Sequence, residues 1–394
     1  MGRADRDGPV AKLLSWVGNE GNAGGLAVAP SAQVSFMRSI DGPPGHASQP
    51  RRRTLARLLG LGGALGTTAW SAASAAGSTP GIEESARPSS ASVADRWFTT
   101  SDGVRLHYLE AGPGPFAVPV AGRRVPTLAF VPGWTMPAWI WQAQLERFAG
   151  GHRAIALDPR GQGRSQIAAE GYTYARRAAD IGDWLAAARC EAPVVLVGWS
   201  LGVLEALQYL HDVRAAGAAT PVRALAIVDN SVGVGDPPSS DPTFFPRLRA
   251  RRRETVTGFV NAMFKRPPDP RWRDALVDAA LRTPLAASID LLRQPRPREF
   301  WRDALYAAQM PVLYAYTPRF AQQGEIVKSR RPAIETRLFA QAGHALFVDE
   351  APAFNEMLEQ FVRRTVGGTA GSPEAAAPAG AASAAERAGA GSSR

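Results

Sequence analysis

From about Asp95 to Arg364 the chain alternates short apolar runs with segments of helical period. Trp97-Phe98-Thr99-Thr100 and Val104-Arg105-Leu106-His107-Tyr108-Leu109 alternate with period two around Asp102-Gly103, the pattern of an antiparallel hairpin. Thr127–Val131, Arg153–Leu157, Pro193–Val197, Ala224–Val228 and Pro311–Tyr316 are apolar runs of strand length, as expected of strands covered on both faces. Glu335–Phe339 closes the series. Tyr174–Ala188, Val203–Leu210 and Ala351–Arg363 repeat with helical spacing. This alternation predicts an α/β domain with a parallel sheet and a leading hairpin. From Gly233 to about Gln309 prolines become frequent and helical segments short, which predicts a helical cap inserted over residues 233–309.

Outside this body the pattern is lost. Residues 1–50 are rich in glycine and proline and read as a disordered extension. Arg51-Arg52-Arg53 precedes a mild apolar run, Leu58–Gly66, and the small residues Ala73-Ser74-Ala75 follow. A positive segment, an apolar segment and a small-residue cleavage site make up an export signal. The paired arginines and the glycine-softened apolar run resemble the twin-arginine type, placed at 51–76. Such a signal belongs near a start, so Met37 is the candidate first residue and a periplasmic or secreted location is expected. The competing reading is an arginine-rich amphipathic segment of a cytoplasmic protein. The run is too short and too glycine-rich for a membrane span. Residues 77–94 read as a linker, 95–366 as the folded domain and 367–394 as a disordered Gly/Ala/Ser tail.

Composition narrows the choices. Hydrophobic residues make up 45% of 394, enough for a substantial core. The net charge of +10 raises the question of nucleic acid. Much of it is arginine near the N-terminus and at Arg247, Arg249, Arg251, Arg252 and Arg253, without an RNA-binding or zinc-ligand pattern, which argues against a nucleic-acid partner. The central run reads as a solvated helix face, with attraction of an acidic substrate or an anionic surface as the alternatives. The single Cys190 excludes an intrachain disulfide and a cysteine-based metal site, and reads as a buried inert thiol. Asp158-Pro159-Arg160-Gly161-Gln162-Gly163-Arg164-Ser165 lacks the lysine and spacing of a phosphate-binding P-loop, so Asp158 and Arg160 are read as braces of a tight turn. His107 reads as a strand-face histidine. Trp139 and Trp141 either line a cleft or pack a short helix on the sheet.

The candidate chemistry centres on Gly198-Trp199-Ser200-Leu201-Gly202, between the run ending at Val197 and the helical segment from Val203. Strand, G-x-S-x-G, helix is the context of a nucleophile elbow. The tight turn strains Ser200, requires small residues two positions away on each side, and lifts the hydroxyl clear of the sheet. The Leu201 amide, at the helix N-terminus, is placed to hold an oxyanion. Pro132-Gly133-Trp134 ends a neighbouring strand, and its Trp134 amide is the candidate second donor. Asp229 and His344 also follow strands, so Ser200, Trp134, Asp229 and His344 converge at one edge of the sheet, where sites of such folds lie.

These segments, with Gly343-His344, resemble the α/β-hydrolase superfamily over roughly residues 96–364. The elbow is similar to that of the pimeloyl-carrier-protein methyl ester esterases, and the body to small esterases and non-haem haloperoxidases. The resemblance implies the α/β-hydrolase fold: a mostly parallel eight-stranded sheet flanked by helices, with an inserted cap. It also implies a Ser, acid, His order along the chain, with Ser200 and His344 in their places. The acid departs from the common pattern, because Thr317-Pro318-Arg319-Phe320 contains no carboxylate. Asp229 occupies the place used by haloalkane dehalogenases, and Glu325 is the alternative. The implied activity is hydrolysis of a small-molecule carboxylic ester or lactone through an acyl-serine, with no cofactor and no metal. C–C hydrolysis, peracid formation and a non-catalytic ligand-binding or sensor role on the same scaffold stay open, as does the oligomeric state.

Overall fold

The computed structural model describes residues 92–114, 125–191, 193–237, 241–293 and 296–366. The N-terminal extension, Met37, the export signal, the linker up to residue 91 and the C-terminal tail lie outside the described residues. The chain forms an eight-stranded sheet in the order β1-β2-β4-β3-β5-β6-β7-β8. The strands are β1 Ala94–Thr99, β2 Arg105–Ala111, β3 Thr127–Val131, β4 Arg153–Asp158, β5 Val194–Trp199, β6 Val222–Val228, β7 Val312–Tyr316 and β8 Glu335–Leu338. β2 pairs antiparallel with β1 and with β4, and the remaining pairs are parallel.

The burial follows the apolar runs. Every residue of β3, β4, β5 and β7 is buried. The edge strands β1 and β8 carry the polar positions and are largely open to solvent. This is the distribution that helices on both faces of a parallel sheet require.

In chain order a short 3-10 helix, Ala138–Trp141, leads into α1 Gln142–Phe148, followed by α2 Tyr174–Ala187 and α3 Leu201–Ala215. Thr173 caps α2 by accepting from the Arg176 amide at 3.2 Å, as an N-cap threonine should. Between β6 and β7, within residues 233–309, the described residues make five helices: α4 Phe244–Ala250, α5 Arg252–Ala262, α6 Pro270–Arg282, α7 Leu285–Leu292 and α8 Arg298–Tyr306. Asp269 starts α6 by accepting from the Arg271 and Trp272 amides, with Pro270 at the first helical position. After β7 come α9 Ala321–Arg330, α10 Leu346–Asp349 and α11 Ala351–Thr365. Among the described residues no helix is long and apolar enough to cross a membrane.

The loop Asp158–Ser165 braces the turn beside the sheet, as read from the sequence. Asp158 accepts from the Ala138 amide at 2.5 Å, the Arg164 amide at 2.8 Å and His107 Nδ1 at 2.7 Å. Arg160 is fully buried and donates to both oxygens of Asp180 at 2.8 Å. His107 is thus a buried partner of Asp158, which ends β4. Trp141 stacks on Phe347 with 3.8 Å between ring centroids, and Trp139 meets Trp272 of α6 edge-on at 5.4 Å. Both are packing residues in these contacts. The central arginines are mainly a solvated face: Arg249, Arg251 and Arg253 are exposed, Arg253 pairs with Asp278, and Arg247 turns back to Asp241.

Candidate active site

Strand register sets the site. Trp199 at the end of β5 is paired with Val228 at the end of β6, so the next residues, Ser200 and Asp229, leave the sheet side by side. Val131 of β3 is paired with Gly198, which brings the Pro132-Gly133-Trp134 loop to the other side of the elbow. Ser200 has φ 54° and ψ −119°, a left-handed conformation that a serine adopts only under constraint. Such strain costs of order 1–3 kcal/mol and persists where surrounding structure over-determines it.

Three contacts impose it. The Ser200 amide donates to Val228 O at 3.0 Å, the Asn230 side chain donates to Ser200 O at 2.9 Å, and α3 begins at the next residue. The flanking glycines are there because nothing larger fits. A Cβ at Gly198 would stand 2.7 Å from Gly202 O, and one at Gly202 would stand 2.5 Å from Val131 O. Leu201 is the first residue of α3, so its amide is among those left without an intrahelical partner.

Next to the elbow lies a buried His–Asp pair. His344 Nδ1 is 2.7 Å from Asp229 Oδ2, and both side chains are almost wholly buried. A carboxylate only accepts, so Nδ1 carries the hydrogen, and in the neutral ring the lone pair then lies on Nε2. Asp229 has φ 49°, a second left-handed non-glycine residue at a strand end. Its other oxygen accepts from the Thr317 amide at 2.8 Å. His344 is tied to the elbow through Trp199, whose indole N–H donates to His344 O at 2.9 Å while the two rings lie 5.1 Å apart. Its loop is held to the inserted helices as well: the Ala345 amide donates to Met263 O at 2.8 Å, and Asp349 accepts from Gly343 N and Lys265 N at 2.7 and 2.8 Å. Glu325, the other carboxylate considered, is exposed on α9.

The fold that carries this serine and this His–Asp pair has known counterparts. The model of the alpha/beta hydrolase family matches residues 128–357, more than half of the chain. The chain belongs to the alpha/beta hydrolase family. An esterase from Exiguobacterium antarcticum has the same fold, with a TM-score of 0.58 and 20% identity over 68% of this chain and 98% of that one. A Burkholderia cenocepacia protein provisionally named an aryl esterase has a TM-score of 0.58 and 27% identity over 69% of this chain and 98% of that one. A non-heme chloroperoxidase from Kitasatospora aureofaciens is 34% identical over 113 residues, 28% of this chain and about 37% of that relative's length.

In this member of the family the second oxyanion candidate also lies at the elbow. A Cβ built on Gly133 would come 3.1 Å from Ser200 Cβ, so the Gly133-Trp134 peptide runs against the serine. The Trp134 indole is buried, donates to Ser288 O of α7 at 2.7 Å, and meets Phe244 and Phe259 edge-on. The inserted helices therefore contact the residue that carries the candidate amide. Among the described residues no group of three or more His, Cys, Asp or Glu side chains is gathered as a metal site.

Several residues that shape the site were not singled out by sequence reasoning. Asn230 fastens the elbow carbonyl while its own carbonyl accepts from Tyr314 Oη at 2.7 Å. Burial holds the Tyr314 phenol well above its usual range, so it stays a neutral donor. Asn230 had a weak signal, a polar residue directly after an apolar strand and beside Asp229. Asp349, which joins the Gly343 amide to the Lys265 amide 84 residues before it, and the buried pair of Arg177 on α2 with Glu205 on α3 had none, because these links join segments far apart in sequence.

Proposed function

We propose that this hydrolase cleaves a small carboxylic ester or lactone through an acyl-Ser200 intermediate. The observation that carries the reading is the 2.7 Å contact between His344 Nδ1 and Asp229, buried beside a strained Ser200. With Nδ1 engaged, Nε2 takes the Ser200 hydroxyl proton as the oxygen attacks the ester carbonyl carbon. The charge that develops on the carbonyl oxygen is met by the amides of Leu201 and Trp134. The tetrahedral adduct collapses, the C–O bond to the alcohol breaks, and His344 returns its proton to the leaving alkoxide. Water, deprotonated by His344 in turn, attacks the acyl-serine and releases the acid. Asp229 stays ionised throughout and stabilises the imidazolium. Family membership and the esterase named among the structural relatives support the same reading.

The test uses the full chain with a panel of short-chain p-nitrophenyl esters and a fluorophosphonate label. Wild type is expected to turn over at least one ester and to be labelled stoichiometrically, and Ser200→Ala to do neither. A wild type that is inert to both reagents would instead indicate a ligand-binding protein on this scaffold.

A further inference from the structure

The loop Asp158–Ser165 and helices α2 and α3 enclose a buried polar chain that the proposed reaction does not use. Gln162 Nε2 donates to Gly133 O at 3.1 Å and to Met136 O at 2.8 Å. Its Oε1 accepts from Arg177 Nη2 at 3.0 Å. Arg177 in turn meets Glu205 at 2.9 Å. Gln162, Arg177 and Glu205 are 0%, 1% and 1% exposed, so solvent does not compete for these bonds. An arginine can only donate, which sets the orientation of the carboxamide: oxygen toward Arg177, amide hydrogens toward the two carbonyls.

Those carbonyls are the two ends of one tight turn. The Met136 amide donates back to Gly133 O at 3.2 Å, enclosing Trp134 and Thr135. Thr135 sits at φ 61°, a conformation that its branched side chain opposes. At the third position of such a turn a positive φ is ordinarily supplied by glycine or asparagine. Without external support the turn would relax, and the peptide carrying the Trp134 amide would rotate. Gln162 grips both ends at once, which constrains the shape of the turn and not only its location. Gly133 is also the residue packed on Ser200.

We infer that Gln162, braced by Arg177 and Glu205, is a positioning residue that holds the Trp134 amide in the oxyanion hole. The inference rests on the ester-hydrolase reading above. Gln162 does not touch the substrate. It acts through the backbone of a turn whose amide matters most when charge has developed on the carbonyl oxygen. Its loss therefore lowers kcat and leaves KM nearly unchanged. A residue with a purely structural role would lower thermal stability and the folded fraction, but not turnover per titrated active site.

The experiment compares the full-length wild type with Gln162→Met, which keeps the length and removes the hydrogen bonds. Rates on p-nitrophenyl acetate are divided by active sites counted with a fluorophosphonate. Removing an oxyanion donor outright costs about 10²–10³-fold in kcat, so a loosened one is expected to cost about 10–100-fold, with KM within about twofold. A per-site kcat within about twofold of wild type overturns the inference. Arg177→Lys covers the case in which Gln162→Met does not fold. It keeps the charge beside Glu205 but loses the planar fork and the length with which the guanidinium spans Gln162 and Glu205, and is expected to lose about 3–10-fold in kcat at constant KM. An unchanged kcat there overturns the inference equally. If the wild type neither turns over nor labels, the ester-hydrolase reading itself has failed, which is a different result from an active wild type with active variants.

Discussion

Replacing Asp229 by asparagine isolates the charge from the shape. The side chain is isosteric, and its surroundings dictate how it must sit. One Asp229 oxygen accepts from the Thr317 amide at 2.8 Å and the other faces His344 Nδ1 at 2.7 Å. The Thr317 amide needs an acceptor, so the asparagine oxygen stays there and its NH2 turns to His344. Two donors cannot face each other, so Nδ1 becomes the acceptor and the ring proton moves to Nε2. An Nε2 that already carries hydrogen cannot take the proton from Ser200, and the buried carboxylate that would stabilise the imidazolium is gone. In the serine-protease template the equivalent change costs about 10⁴-fold in kcat. We expect about 10³–10⁴-fold here, or roughly 4–5.5 kcal/mol of transition-state stabilisation. The assay is kcat on p-nitrophenyl acetate under saturating substrate, with circular dichroism and a melting curve to show that the variant is folded. Glu325→Gln, an exposed position on α9, is the control and should retain full activity. A folded Asp229→Asn within tenfold of wild type would refute the assignment of the acid.

Gly198→Ala places a Cβ 2.7 Å from Gly202 O and 2.9 Å from Val203 Cα, atoms of the elbow backbone that cannot give way. We expect a loss of at least about 1–3 kcal/mol in urea unfolding, together with a sharp drop in activity. Burial pushes the Cys190 thiol up to about 11. At pH 8 the thiolate is then only about one part in a thousand, so Ellman's reagent should react with Cys190 only after denaturation. Burial also pushes the Glu205 carboxyl up to about 7, in spite of Arg177 beside it. The folded chain then holds a proton that the unfolded chain releases near its ordinary value of 4.5. This group's contribution to stability is therefore fully present below that value and declines as pH rises toward 7. Urea titrations at pH 5, 6 and 7 should show that decline in wild type and a flatter profile in Glu205→Gln.

The hairpin, the buried strands, the elbow and the histidine loop were legible because each is written in contiguous residues. An apolar run bounded by turn residues declares a covered strand. A glycine two places on either side of Ser200 declares a turn too tight for side chains. The acid was legible only as a choice. Asp229 directly follows a strand while Glu325 stands within a helix further on, so the local pattern favours the first without excluding the second. The register decides: Val228 pairs with Trp199, which sets Asp229 next to Ser200 and within 2.7 Å of His344, while α9 directs Glu325 to solvent.

The clamp around the Gly133–Met136 turn was not legible at all. Gln162 lies in a loop whose sequence signals only a tight turn, and Arg177 and Glu205 lie on two helices whose periodicity says which face is covered, not by what. The sequence by itself determined the element order, the covered faces and the position of the strained serine, because these depend on backbone sterics and on apolar periodicity within short stretches. Only the tertiary structure decided which carboxylate meets the histidine and which amide group grips the turn beside the serine. Those partners are separated by 115 residues in one case and by 26 and 29 in the other. Hydrogen bonds act over about 3 Å, so they have no meaning until the sheet has brought the strand ends together.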